Sequence, residues 1–466
     1  MLDQTQAPQL PVEPHEGLAP VAVTGDERAH LVSDSLRQTI LRVALPAVAS
    51  SLLMTLFSSV DAFWVGSRIG AVGLAAVSTS LFWIWMIVSL AEMVGVGLTA
   101  AASRRYGERK GSEAAKLAGD ALIFSFVLGT AVAIAGTAAL HWLFGVMNTP
   151  PEVTLLGSTY LRTYLIGAPL IYAFFAIDSA FRASGDTRTP FVLLLASVAL
   201  TLVLDPVLIV GVGPFPRMGI EGAAIATIST RGAAAVMGLV IAIRRRLVAV
   251  GRVRLESILL VCRVGLPTAG TGVMFSAIYV ILTRTTTRFG TPALAALGIG
   301  HRVESWLFMI GVGFGAATAA IVGQNLGAGR ADRAARAGWM ATAYCTALGV
   351  VAFSLELLIP RQFASLFTTD TAVIDEAVRY LRIAAISQLA VCSEVVLEGA
   401  LGGAGETVPP MITSTTLTAV RIPLATWAAN RWGSIGIWWV ISLTAMARGL
   451  AMAGLWRLGR WKRRSL

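Results

Sequence analysis

Charge is scarce in this chain. Only 14% of its 466 residues are Asp, Glu, Lys or Arg, and 56% are hydrophobic. A soluble domain carries about a quarter charged residues, so an ordinary globular domain is excluded. Cysteine is nearly absent. Cys262, Cys345 and Cys392 are far apart in sequence and sit in apolar runs, which fits neither a disulfide framework nor a metal spacing. The short alternating segments of a membrane β-barrel are missing. The basic start and apolar core of a signal peptide are missing too. Residues 1–36 instead carry Pro8, Pro11, Pro14, Pro20 and several acids, and read as a disordered cytoplasmic tail.

What is present is a series of apolar runs, each long enough to cross a bilayer, which takes about 20 residues. Run lengths and breakers place about twelve spans, near 38–66, 72–104, 116–144, 153–181, 188–212, 219–244, 255–286, 293–324, 334–360, 372–401, 407–430 and 435–458. The expected fold class is an all-α polytopic membrane protein. The net charge of +11 is nearly all arginine, gathered in short loops. Arg104, Arg105, Arg109, Lys110 and Lys116 follow the second span, and Arg244, Arg245, Arg246, Arg252 and Arg254 the sixth. Arg330, Arg333 and Arg336 follow the eighth, and Arg457, Arg460, Lys462, Arg463 and Arg464 the last. The positive-inside rule then puts these loops and both termini in the cytoplasm of a plasma-membrane protein. Loop placement also explains the basic charge without nucleic acid as a partner.

The two halves repeat at an offset near 220 residues. Leu41-Arg42-Val43-Ala44-Leu45-Pro46 recurs as Cys262-Arg263-Val264-Gly265-Leu266-Pro267. Arg182-Ala183-Ser184-Gly185-Asp186-Thr187 recurs as Gly402-Gly403-Ala404-Gly405-Glu406-Thr407. Six spans return the chain to the same side, so the halves are parallel repeats: a six-helix lobe over 37–248 and a second over 249–466. That arrangement suits alternating access around a path between or inside the lobes.

Acids inside apolar spans are functional candidates by default. Asp61 lies in such a run, with no Lys or Arg between Arg42 and Arg68. Asp205 precedes Pro206, which removes a backbone donor and lets its helix bend. Glu92 is mid-span, with Val312 as its repeat counterpart, and reads as a proton relay or as a cavity acid. Glu394 and Glu398, one turn apart, are the C-lobe candidates. Asp178 and Arg182 are spaced for an ion pair along one helix. His301, Arg302 and Glu304 form a polar cluster, and Arg231 and Arg448 are repeat-related internal cations. Phe63, Trp64, Trp85, Met86, Trp306 and Met309 are candidate linings for flat cationic cargo. No phosphate-loop, zinc or Asp-rich metal motif occurs, so neither a metal nor an organic cofactor is expected.

Ser58-Ser59-Val60-Asp61-Ala62-Phe63-Trp64-Val65-Gly66, Arg182 to Pro190, Asp205-Pro206 and Gly219-Ile220-Glu221-Gly222-Ala223-Ala224 together resemble the multidrug and toxic compound extrusion (MATE) family, on its DinF-like side. The resemblance runs in order over about 36–460. It implies a V-shaped, two-lobe efflux antiporter for amphipathic, mainly cationic compounds, driven by inward protons or, less readily, sodium. It also implies a coupling site in the N-terminal lobe at Asp61, Asp205, Thr201 and Thr227. At Thr201 some relatives carry an asparagine, so an amide is lost here and sodium ligation is weakened. The carboxylate that NorM-like members carry early in helix seven has no counterpart in Gly270 to Ser276. The expected partners are small cationic or amphipathic substrates and the lipid bilayer, with the protein a monomer. A lipid-linked precursor flippase is the alternative, and an intramembrane enzyme a remote one.

Overall fold

Helical periodicity carries through almost the whole chain. The computed structural model describes residues 30–69, 71–147 and 150–464; the side chains at 30, 58–63, 66, 67, 71, 74, 75, 82, 280, 284 and 287 lie outside that description. Among the described residues there is no strand. One turn, α1 (His30–Ser33), precedes α2 (Leu36–Ile69), α3 (Ala71–Gly107), α4 (Gly111–Met147), α5 (Pro151–Ile166), α6 (Ala168–Ser184), α7 (Arg188–Val210) and α8 (Ile220–Arg244). The second half holds α9 (Leu255–Thr286), α10 (Gly290–Gly327), α11 (Ala331–Leu358), the short α12 (Pro360–Ser365), α13 (Thr371–Gly403), α14 (Val408–Trp432) and α15 (Ser434–Leu458). Of the stretch 1–36, residues 1–29 lie outside the described residues, while Leu31 is already buried.

Ten of these helices are long and apolar enough to cross a bilayer, and α5 with α6 makes an eleventh, bent by 52°. The break falls at Gly167, ahead of Pro169. The expected count of about twelve is therefore ten or eleven by length and apolarity. The shortfall is α14, which occupies the place of the span 407–430. Its polar residues are spent inside the protein: Ser414, Thr418 and Arg421 are buried along one stripe.

Helices here are apolar outward and polar inward. On α7 the buried stripe is Pro190, Leu194, Ser197, Thr201, Asp205 and Leu208, while Leu195, Leu200, Leu202 and Val203 are exposed. Lipid takes the apolar face; a hydroxyl or carboxylate facing hydrocarbon would forfeit its hydrogen bonds. α7 packs on α2 and α8, and α3 on α4, α5 and α6. In the second lobe α13 is central, touching α10, α11 and α15.

The lobes meet where α3 crosses α9 and α10, and where α2 crosses α10. Glycines make these crossings. A methyl on Gly97 would collide with the Val261 carbonyl, one on Gly265 with the Met93 carbonyl, and one on Gly313 with the Val48 backbone. Gly323 and Gly327 likewise leave room for Ser103 and Arg104. All five approaches lie in the helix halves nearer the arginine-rich loops, called the basic end below. Toward the other end the same helices expose Leu56, Trp85, Ile281 and Trp306. The closest approaches between the lobes thus lie at the basic end.

A helix glycine replaced by alanine normally gains about 0.5–1 kcal/mol. At Gly265 the sign should reverse. Gly265→Ala is expected to lower the melting temperature in detergent, because the seam cannot close; a variant as stable as the wild type or more so would refute that role for the crossing.

The basic end is laced with ion pairs. Arg254 meets the buried Asp120 at 2.9 Å, Arg245 meets Asp186 at 2.7 Å, and Arg105 meets Glu108 at 3.1 Å. Desolvation pushes the Glu108 carboxyl up, but hydrogen bonds from Arg105 and Lys110 outweigh it and hold the group below its ordinary value.

Candidate functional site

Three helices of the first lobe converge on Asp205. Its residue exposure is zero. One turn earlier, the Thr201 hydroxyl lies 2.7 Å from the Thr230 hydroxyl of α8, and also reaches the Ser197 carbonyl at 2.8 Å. Thr230 reaches the carbonyls of Ala226 and Thr227 at 3.0 and 3.2 Å. Thr227 itself is buried beside them. The structure thus gathers Thr201, Asp205 and Thr227, and adds Thr230, which the sequence reading missed.

Arg231, next to Thr230 on α8, turns toward α2. It is 7% exposed, donates to the Met54 sulfur at 3.4 Å, and lies 5.4 Å above the Phe57 ring. Both partners are on α2. Position 61 falls one helical turn beyond Phe57, but the side chains of Asp61 and Phe63 lie outside the described residues.

Glu92 does not join this group. It sits on α3, away from the α2–α7–α8 seam, within electrostatic reach of Arg182 on α6. Its side chain is solvent-accessible, as is Trp85 two turns earlier on the same face. Arg182 pairs with Asp178, as their spacing predicts. Of the expected lining residues, Trp85 and Trp306 are 55% and 47% exposed, and Met86 and Met309 are half-buried. Trp64 instead packs against a first-lobe core cluster and lies under Arg68, 5.6 Å from its ring centre.

The second lobe holds a larger polar network than its sequence suggests. Arg448 pairs with Glu394 at 3.0 Å, with both side chains at most 10% exposed. The Arg448 guanidinium also lies 5.9 Å from the Phe275 ring centre. Arg421, 1% exposed, donates from Nε to the Thr444 hydroxyl at 2.9 Å. Tyr380 donates to Glu304 at 3.1 Å, and Gly300 leaves the space its ring fills. His301 Nδ1 lies 3.4 Å from the Tyr279 hydroxyl and 3.7 Å from Glu304. Gln388 clasps both oxygens of Glu356 at 3.0 and 3.2 Å. Glu398 is half-buried one turn past Glu394. His301 and Glu304 are thus half-buried against Tyr279 and Tyr380 of the second lobe, while Arg302 is exposed.

Sequence reasoning passed over Tyr380, Arg421, Glu356 and Gln388. The signal was there, since Arg421 and Glu356 are ionisable residues in the middle of apolar runs. Cys345 and Cys392, 47 apart in sequence, also meet: the Cys392 thiol reaches the Cys345 carbonyl at 3.4 Å. Among the described residues no three His, Cys, Asp or Glu side chains are grouped to hold a metal ion.

Comparison with known proteins adds the following. The MatE family model matches residues 46–207 and again 267–427, once in each half. The chain is 26% identical over 437 residues to the FAD transporter of Shewanella oneidensis, covering 91% of this chain and 95% of that one. It is 28% identical over 451 residues to the probable multidrug resistance protein NorM of Thermotoga maritima, covering 92% and 94%. Among solved structures, a multidrug resistance MATE family transporter in an outward-facing conformation superposes with a TM-score of 0.87 at 23% identity, covering 94% of this chain and 99% of that one. A MOP superfamily transporter from Pyrococcus furiosus gives 0.87 at 22%, with the same coverage. At such identities the structural likeness speaks for the fold alone.

Proposed function

The chain belongs to the MatE family of membrane transporters and is not an enzyme, and from that premise we propose that it is a proton-coupled efflux antiporter for amphipathic, mainly cationic compounds, of the DinF-like branch. One observation carries the reading: Asp205 is wholly buried on the polar stripe of α7, between α2 and α8. A buried carboxylate is costly as a bare charge. It must hold a proton or sit against a cation, and a site that can do only one at a time exchanges the two.

Asp61, Asp205, Thr201 and Thr227 form the coupling site. Protons are favoured over sodium because Thr201 stands where some relatives carry an asparagine, so an amide oxygen that could ligate sodium is lost. Glu92, Trp85 and Trp306 line the passage, Glu92 offering a charge and the indoles flat surfaces. Glu394 is held by Arg448 and has a structural part, which leaves Glu398 as the C-lobe acid. The arginine-rich end lies in the cytoplasm with both termini. The glycine-made approaches hold that cytoplasmic end together, so cargo leaves from the opposite side. The protein works as a monomer in the inner membrane.

Proteoliposomes with imposed gradients test this. An inward-acid gradient should drive efflux of an organic cation, and a sodium gradient alone should not. Transport by sodium alone would reverse the choice of ion; transport with neither would end the antiport reading. A flavin dinucleotide belongs in the same assay as a second cargo, because the S. oneidensis relative is an FAD transporter and Arg421 and Arg448 put cations inside the second lobe.

A further inference from the structure

We propose that residues 30–35 form a strap that ties the two lobes together at the basic end, and that its release is what permits that end to open. α1 and the two-residue bend Asp34–Ser35 lead directly into α2 of the first lobe. Its carbonyls are held by the second. The Leu31 carbonyl accepts from Asn325 Nδ2 at 3.1 Å, the Val32 carbonyl from Arg330 at 2.9 Å, and the Asp34 carbonyl from Arg333. Asn325 is fully buried at the end of α10, and the two arginines flank the turn into α11.

The Leu31 side chain completes the tie. It is 2% exposed and packs in one cluster with Ile40 and Val43 of α2 and Ala317 and Ile321 of α10. It also reaches the turn between α6 and α7, within 3.0 Å of where a methyl on Gly185 would stand. Gly185 has φ of 94°, a left-handed conformation, and the turn is pinned to α8 by Asp186 and Arg245. Beside it, Gln324 Nε2 donates across the lobes to the Ala183 carbonyl at 2.8 Å. Separating the lobes here breaks the Gln324 bond, strips Leu31 of its burial and pulls the strap off three donors. The strap thus stabilises the basic-end-closed state specifically, and only such differential contacts shift a conformational equilibrium.

The inference rests on the alternating-access reading, so its test avoids ions and cargo. A Ser184→Cys probe, buried at this seam, is placed in a background with Cys262→Ser, Cys345→Ala and Cys392→Ala, because the last two share the Leu31 cluster, and is labelled with a maleimide in lipid nanodiscs. Leu31→Ala and, separately, the double variant Arg330→Ala/Arg333→Ala should raise the labelling rate at least about tenfold, the scale of losing hydrogen bonds to charged donors. Arg109→Ala, exposed on the α3–α4 turn, should leave it unchanged. Equal rates in wild type and strap variants would overturn the strap while leaving alternating access intact. No labelling of any folded form, with the thiol reactive once denatured, would overturn both.

Discussion

Asp205→Asn is expected to abolish gradient-driven export while leaving folded protein in the membrane. Asparagine keeps the shape and a hydrogen-bonding head, so the seam of α2, α7 and α8 should survive. What it cannot do is exchange a proton for a cation. It behaves as a permanently protonated aspartate, so cation affinity should be low and should follow pH less steeply, through Asp61 alone. Coupling free energies of about 1–3 kcal/mol correspond to affinity changes of roughly 5–150-fold. The wild type should therefore bind a cationic dye that much more tightly at pH 8 than at pH 6, and the variant should bind it weakly at both. Dye titration with the purified proteins reads this directly. A variant that exports normally, or whose affinity follows pH as steeply as the wild type's, would remove Asp205 from the coupling site. Thr201→Val makes a milder companion: it deletes one hydroxyl of the Thr201–Thr230 pair and should weaken coupling without erasing it.

The legible part of this site was whatever a single helix encodes. Asp205 stands out as an acid inside an apolar run, Thr201 enters only through the family resemblance, and their common stripe with Ser197 is a finding of the structure. The Asp178–Arg182 pair is a one-helix fact as well. Partners on different helices were not legible. Thr230 meets Thr201 from 29 residues away, and Tyr380 meets Glu304 from 76. Spacing does not say which neighbours a mid-span acid such as Glu92 faces; the structure puts it on α3, apart from the α2–α7–α8 seam. Nor does hydropathy reward a span such as α14, whose buried Arg421 lowers its apolar score for the very reason that makes it informative.

The other large effect concerns Arg448. Its pair with Glu394 is buried from both sides. A buried pair adds little net stability over apolar residues of the same size, yet removing one member strands the other, at about 3–5 kcal/mol. Arg448→Met should therefore depress yield and melting temperature sharply, more than any substitution proposed above. The double variant Arg448→Met/Glu394→Gln should recover most of that loss, since neither residue then carries an unmatched charge. Double-mutant cycles isolate such coupling, which for contacting residues runs to roughly 0.5–3 kcal/mol. The recovered protein then separates two roles that the single variants confuse. If Glu394 only holds α13 against α15, the double variant should export at near the wild-type rate. If it recovers its stability but not its transport, Glu394 takes part in moving ion or cargo, and the coupling chemistry extends into the second lobe.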